Sequence, residues 1–136
     1  KTLGIKGSYM FDNKHWYFYP QVNLYTLIIT EDGGETYRVE EVSWPLNYTD
    51  MYMYNENRGI LVAGRSIFLT NDNWRTKEKI QIENYRNFSN ITMRTDSTVY
   101  MTPIKNIEGV GVEWFNCLVE FNINTKKLDL IYECLI

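Results

Sequence analysis

Apolar and polar residues alternate with a period of two through most of this chain, in short runs broken by turn-forming residues. That spacing predicts half-buried strands, since side chains of a strand point to alternate faces. The clearest case is Leu27-Ile-Ile-Thr-Glu-Asp-Gly-Gly-Glu-Thr-Tyr-Arg-Val39, where two β-branched runs flank a tight acidic turn. Gly33 and Gly34 can take positive φ there, and Asp32 can fold its carboxylate back onto nearby backbone N–H groups. Ahead of it, Ser8–Tyr19 predicts two short strands around an Asp12–Lys14 turn, ended by Pro20. Met51–Tyr54 and Gly59–Ala63 predict a hairpin through Asn55–Arg58, and Arg65–Thr70 with Lys77–Ile82 another through Asn71–Thr76. Asn90–Arg94 turns at Thr95–Ser97 and returns as Thr98–Thr102, and a last strand pair runs from Val112 to Cys134. No stretch has convincing helical periodicity, so little or no helix is expected.

The hairpins repeat. Thr70, Asp72 and Thr76 stand where Thr30, Asp32 and Thr36 stand, 40 residues earlier (70 − 30). In this second copy Trp74 replaces the glycine and Lys77 the aromatic residue, so it reads as a worn echo of the first. The chain thus divides into units near 5–43, 48–83 and 90–136 within a single β domain spanning 1–136. Four strands in about 40–50 residues is the signature of a propeller blade. The expected fold is all-β, made of antiparallel hairpin repeats in a partial or small β-propeller-like arrangement of about three four-stranded blades. Propellers usually hold about four to eight blades, which leaves a partial propeller, a compact blade stack or completion by a second copy open. An unrelated sandwich or barrel is the alternative.

The C-terminal hairpin suggests a register. With the turn centred on Asn124–Lys127, Ile123 faces Leu128, Phe121 faces Leu130, Val119 faces Tyr132 and Cys117 faces Cys134. All of these lie on one apolar face, and a slip of one residue would mix the faces. Opposed Cα atoms lie about 4.5–5.5 Å apart, within the reach of a disulfide. A Cys117–Cys134 bridge is therefore expected, and with it an extracytoplasmic location. Two reduced, buried thiols are the alternative.

Composition narrows the function classes. At 136 residues the chain is one domain by length, and 15% aromatic content with eleven Tyr and a single Ala (Ala63) agrees with β structure. A net charge of −3 argues against a nucleic-acid surface, which normally carries a basic excess. No apolar run reaches the ~18 residues of a membrane span. Three Asn-x-Ser/Thr sequons (Asn47, Asn87, Asn90) arise easily by chance in so Asn-rich a chain. His15 is the only histidine, without a nucleophile motif beside it, and two cysteines with one histidine make no zinc site. Gly59–Gly64 lacks the lysine and helix of a phosphate loop, and Asn71-Asp72-Asn73 and Glu31-Asp32 lack the distal bidentate glutamate of a calcium loop. No metal, no cofactor and no catalytic set is expected.

Two resemblances add to this. Thr30, Asp32, Gly34, Thr36 and Tyr37 match the spacing of the Asp-box, the Ser/Thr-x-Asp-x-Gly-x-Thr-aromatic turn of sialidase-like β-propeller repeats, with Tyr for the usual Trp. The resemblance implies a structural turn and a propeller-type fold, not the activity. Glu40 and Glu41 are adjacent and point to opposite faces, and Arg38, Arg58, Arg65, Arg75, Arg86 and Arg94 include no Arg-Ile-Pro signature, so sialidase chemistry is not expected. More loosely, Leu27–Thr36 followed by Asp50–Thr70 resembles the lipase-immunity family of bacterial type VI secretion. That resemblance implies a periplasmic inhibitor whose protein partner is a secreted antibacterial toxin. A signal peptide or lipid anchor ahead of Lys1 would fit it, since the chain starts without Met as a mature or trimmed chain does.

An aromatic-rich acidic domain without a catalytic set suits contact with a protein, and Tyr, Trp and Arg are the usual anchors. The expected partner-binding residues lie in the connectors: Trp44, Tyr48 and Asp50, then Tyr85, Arg86 and Phe88. A carbohydrate-binding or assembly module is the alternative, with Trp16, Trp74 or Trp114 as stacking platforms. A truncated hydrolase is a third reading.

Overall fold

A computed structural model describes residues 5–20, 26–42, 50–106 and 114–135. They form three antiparallel sheets and no helix, and so none long and apolar enough to cross a membrane. Sheet one is a meander of β1 (Ile5–Met10), β2 (Trp16–Pro20), β3 (Thr26–Thr30) and β4 (Arg38–Glu41). Sheet two repeats it with β5 (Asp50–Met53), β6 (Gly59–Ala63), β7 (Ser66–Thr70) and β8 (Glu78–Gln81). The predicted blade-like units are therefore present.

Sheet three has the same plan with two broken strands. β9 (Tyr85–Arg86) and β10 (Thr92–Met93) pair with β12 (Ile104–Asn106) and β11 (Thr98–Met101). β11 and β12 hold one register against β13 (Trp114–Asn122), with Thr98 opposite Asn122 and Ile104 opposite Asn116. The gap between them is Thr102–Pro103, where proline has no N–H to give the ladder. β14 (Leu128–Leu135) closes the far edge. This unit begins at Tyr85, earlier than the Asn90 predicted. Residues 87–91 face only 101–103, and Asn87 and Asn90, both at φ 54°, take up the excess in the left-handed region that asparagine tolerates.

The core lies in two seams on either side of sheet two. In β6, Leu61 and Ala63 point toward sheet one while Ile60 and Val62 point toward sheet three, and every residue of the strand is buried. The first seam adds Tyr17, Leu27, Ile29, Met53, Phe68 and Trp74, and the second Phe88, Val99, Met101, Val119 and Phe121. Each aliphatic, Met or Phe side chain among them contributes about 1.5–3 kcal/mol by leaving water, which makes the seams the main source of stability.

The C-terminal hairpin corrects the predicted register. The turn closes one residue earlier, because the Asn122 side chain accepts the N–H groups of Asn124 and Thr125 at 2.9 Å and Lys126 takes φ 61°. Phe121 consequently pairs with Leu128 and Val119 with Leu130, and a bulge then shifts the ladder so that Leu118 pairs with Tyr132. Cys117 comes to face Glu133, and Cys134 faces Asn116. Neighbouring positions in a strand point to opposite faces, so this register does not oppose the two cysteines as the bridge argument required. The Cys117 thiol lies 3.6 Å from the Phe115 carbonyl, to which it donates.

Candidate functional site: a cationic trough across the turns

The meander brings two turns of each sheet to one end of the molecule, and each turn is fastened by the side chain of a residue at its start. Asp12, Asn55, Thr95 and Asn122 each accept two backbone N–H groups from the residues two and three positions on. The Thr30 and Thr70 turns use a fuller arrangement. The Thr30 hydroxyl donates to Asp32 at 2.8 Å and accepts the Gly34 N–H at 2.9 Å, while Asp32 accepts the Thr36 N–H at 2.9 Å and the Thr36 hydroxyl. Thr70, Asp72, Trp74 and Thr76 make the same four bonds at 2.6–3.0 Å. The hydroxyl and N–H of Thr36 hold the Asp32 carboxyl down at about 2, and those of Thr76 lower Asp72 in the same way. Both carboxylates are charged but spent on their own turns.

Cross-sheet ties hold these turns as one surface. Arg75 pairs with Glu31 at 2.9 Å and the Tyr17 hydroxyl donates to Asn73 Oδ1 at 2.5 Å, while within sheet two the Asn73 N–H donates to the Asn57 carbonyl at 2.8 Å and joins its two turns. On the other seam Lys126 pairs with Glu78 at 2.7 Å and Arg58 donates to Asn124 at 3.0 Å. His15, half-buried beside Asp12 at 2.8 Å, also lies 3.8 Å from Glu56 of the next sheet.

Between sheets two and three this end opens into a trough of about 470 Å³, with Leu69 and Ile123 among its lining and Arg58, Asn71, Lys77, Glu78, Asn124 and Lys126 as its charged and amide groups. Three of those are cations and one an anion, in a chain whose net charge is −3. The trough continues past Arg58 and Asn71 into a shallower hollow lined by Phe11, Asn55, Glu56 and Asn57. Lys126 is matched by Glu78, but Lys77 donates to the Trp74 carbonyl at 3.0 Å and the Arg58 guanidinium lies over the Tyr54 ring at 5.3 Å. Among the described residues these two cations meet only neutral dipoles and a π face. Burial pushes the Tyr54 hydroxyl up to about 12, so it stays neutral beneath Arg58.

The partner-binding residues predicted from the connectors are dispersed. Trp44 and Tyr48 lie outside the described residues. Asp50 is a clasp between sheets, one oxygen accepting the Met51 N–H at 2.9 Å and the other the Ile91 N–H at 2.8 Å. Phe88 is fully buried in the second seam and cannot reach a partner, because an aromatic ring in a half-polar connector gains most by filling the core beneath it. Tyr85 and Arg86 do share a groove of about 590 Å³ with Arg65, Gln81 and Glu83, at the end opposite the trough. There the Tyr85 ring stacks on Phe88 at 6.4 Å with Lys105 at 6.0 Å on it. Of the proposed sugar platforms, Trp74 is 0% exposed and is excluded, and the Trp16 indole donates to the Asp12 carbonyl at 3.0 Å. The Trp114 side chain lies outside what is described. Arg58, Lys77 and Lys126 were not among the expected binding residues, because Arg58 and Lys126 were counted as turn residues and Lys77 as the start of a strand. Cations recurring at the turn positions of an acidic chain were the available signal.

No family model matches the chain, and no curated protein does. Among solved structures it is similar to one described as "YCF48 bound to D1 peptide", at 17% identity and a TM-score of 0.61. That neighbour is a β-propeller. The match covers 95% of this chain and 39% of the neighbour, so this chain spans well under half of that protein. It establishes the propeller-like fold seen in the three sheets.

Proposed function

We propose that this protein works by binding another protein, as a non-catalytic inhibitor, and that the partner is a secreted antibacterial toxin whose active site it covers outside the cytoplasm. The observation that carries the reading is the trough: a preformed polar surface on turns fastened by their own side chains, so that binding costs little ordering. The solved neighbour, described as bound to a peptide, supports a protein ligand in general terms. The toxin partner and the periplasmic location rest on the type VI immunity resemblance of Leu27–Thr36 and Asp50–Thr70, and the Asp-box turn supplies the scaffold. The cysteine argument for that location loses its geometric basis, since Cys117 faces Glu133.

The test is co-expression with the product of the neighbouring gene, because an immunity gene lies beside its toxin. A one-to-one complex that survives high salt and abolishes the partner's enzymatic activity is the expected result. Retention on glycan resins with no effect on that product would replace this reading with the carbohydrate-binding one.

A further inference from the structure

We propose that the trough between sheets two and three receives an extended, carboxylate-rich segment of the protein partner, with Arg58 and Lys77 as its principal anchors. The inference rests on the protein-binding reading above and adds the chemistry of what is bound. Acidic residues outnumber basic ones by 17 to 14 in this chain, so cations have ample anionic partners to choose from. Five other cations of the described residues find them: Arg38, Arg75, Arg94, Lys105 and Lys126 all form ion pairs. Arg58 and Lys77 do not, and neither do Lys14, Arg65 and Lys127, but of these five Arg58 and Lys77 line the trough together.

Their neighbours sharpen the preference. The Asn71 and Asn124 carboxamides lie in the trough, with Asn55 and Asn57 in the adjoining hollow, and they offer further N–H donors along its length. The acidic groups nearest the two anchors are engaged, Glu78 with Lys126 and Asp72 with Thr70 and Thr76, while Glu56 lines only the adjoining hollow. An incoming carboxylate would thus meet unspent positive charge, whereas a cationic segment would meet only like charge at these two positions. Arginine adds a fork that can hold a carboxylate through two bonds.

The experiment measures fluorescence anisotropy of labelled peptides that alternate Glu with Ser, and of matched Gln and Lys versions. The Glu peptide should bind, the Gln and Lys versions at least about tenfold more weakly, and salt should weaken the Glu complex by screening. Arg58→Gln with Lys77→Gln should lower Glu-peptide affinity by about tenfold or more, while Arg65→Gln at the opposite end leaves it unchanged. Circular dichroism of the double variant checks that it is folded. Equal binding of Glu and Gln peptides, no binding of the Glu peptide, or an unchanged affinity of the folded double variant would overturn the proposal. A natural partner captured equally well by the double variant overturns the trough assignment and leaves the protein-binding reading standing. Specific Glu-peptide binding without any protein partner in co-expression reverses that outcome.

Discussion

The turns at Thr30 and Thr70 make the same four hydrogen bonds, yet where one has Gly34 the other has Trp74. Both residues sit in the left-handed region, at φ 92° and 71°. In sheet one the space beside Gly34 is already taken: an added Cβ would come 2.9 Å from the Tyr37 hydroxyl and 3.1 Å from the Trp16 ring. In sheet two the equivalent direction opens into the seam with sheet one, and the Trp74 indole fills it, fully buried. A left-handed non-glycine residue costs about 1–3 kcal/mol. Burying the 150–250 Å² typical of an aromatic side chain is worth about 4–6 kcal/mol at 25 cal/mol per Å². That burial offsets both the strain and an indole Nε1–H that finds no partner among the described residues, a further cost of about 1–3 kcal/mol, and the copy that looked worn is intact and recruited to the core.

Five variants test this contrast. The largest effect is Trp74→Ala, which should cost about 3–5 kcal/mol in urea unfolding because it leaves a cavity between two sheets. Trp74→Gly relieves the backbone and should be no worse than alanine. A loss under about 1 kcal/mol would mean the indole is not the seam's plug. Gly34→Val should cost about 1–3 kcal/mol, through strain at positive φ and the crowding against Tyr37 and Trp16.

Acid titration separates the turns by charge. A carboxyl whose folded pKa lies below its ordinary value of 3.8 stabilises the fold above that value, and the contribution is lost as pH falls toward the folded value of about 2 for Asp32. The melting temperature of the native protein should therefore fall between about pH 4 and pH 2, and Asp32→Asn should be less stable near neutrality and flatter across that interval. An identical slope in the variant would show that Asp32 does not fasten its turn. The smallest effect is Glu31→Gln, which removes the half-exposed pairs to Arg38 and Arg75 and should change stability by less than about 1 kcal/mol.

The strand pattern was legible because period-two alternation and turn residues are local. Both hairpins of sheets one and two form with the turns read from the chain, at Asp12–Lys14, Asn55–Arg58 and Asn71–Thr76 as well as around Asp32. The C-terminal register was misread by an equally local signal. Apolar alternation ran unbroken through Ile123, but the Asn122 side chain closed the turn first and a bulge near Ile131 reset the faces. A bulge leaves only a faint mark in sequence, since it adds one residue to one strand and is specified by the partner opposite. The site was less legible. Aromatic anchors were sought in connectors, yet Phe88 went to the core and Asp50 to a clasp, while the cations that line the trough sat in turns.

The amino-acid sequence by itself determined the strands, the repeat of about four strands per unit and the self-fastened Thr30 turn, because each depends on contacts within a few residues. Only the tertiary structure decided which residues meet between sheets. It turned Trp74 from a defect into a plug, separated Cys117 from the position facing Cys134, and gathered Arg58, Lys77 and Lys126 onto one trough. These outcomes depend on how three sheets stack, and stacking pairs residues tens of positions apart that no local pattern relates.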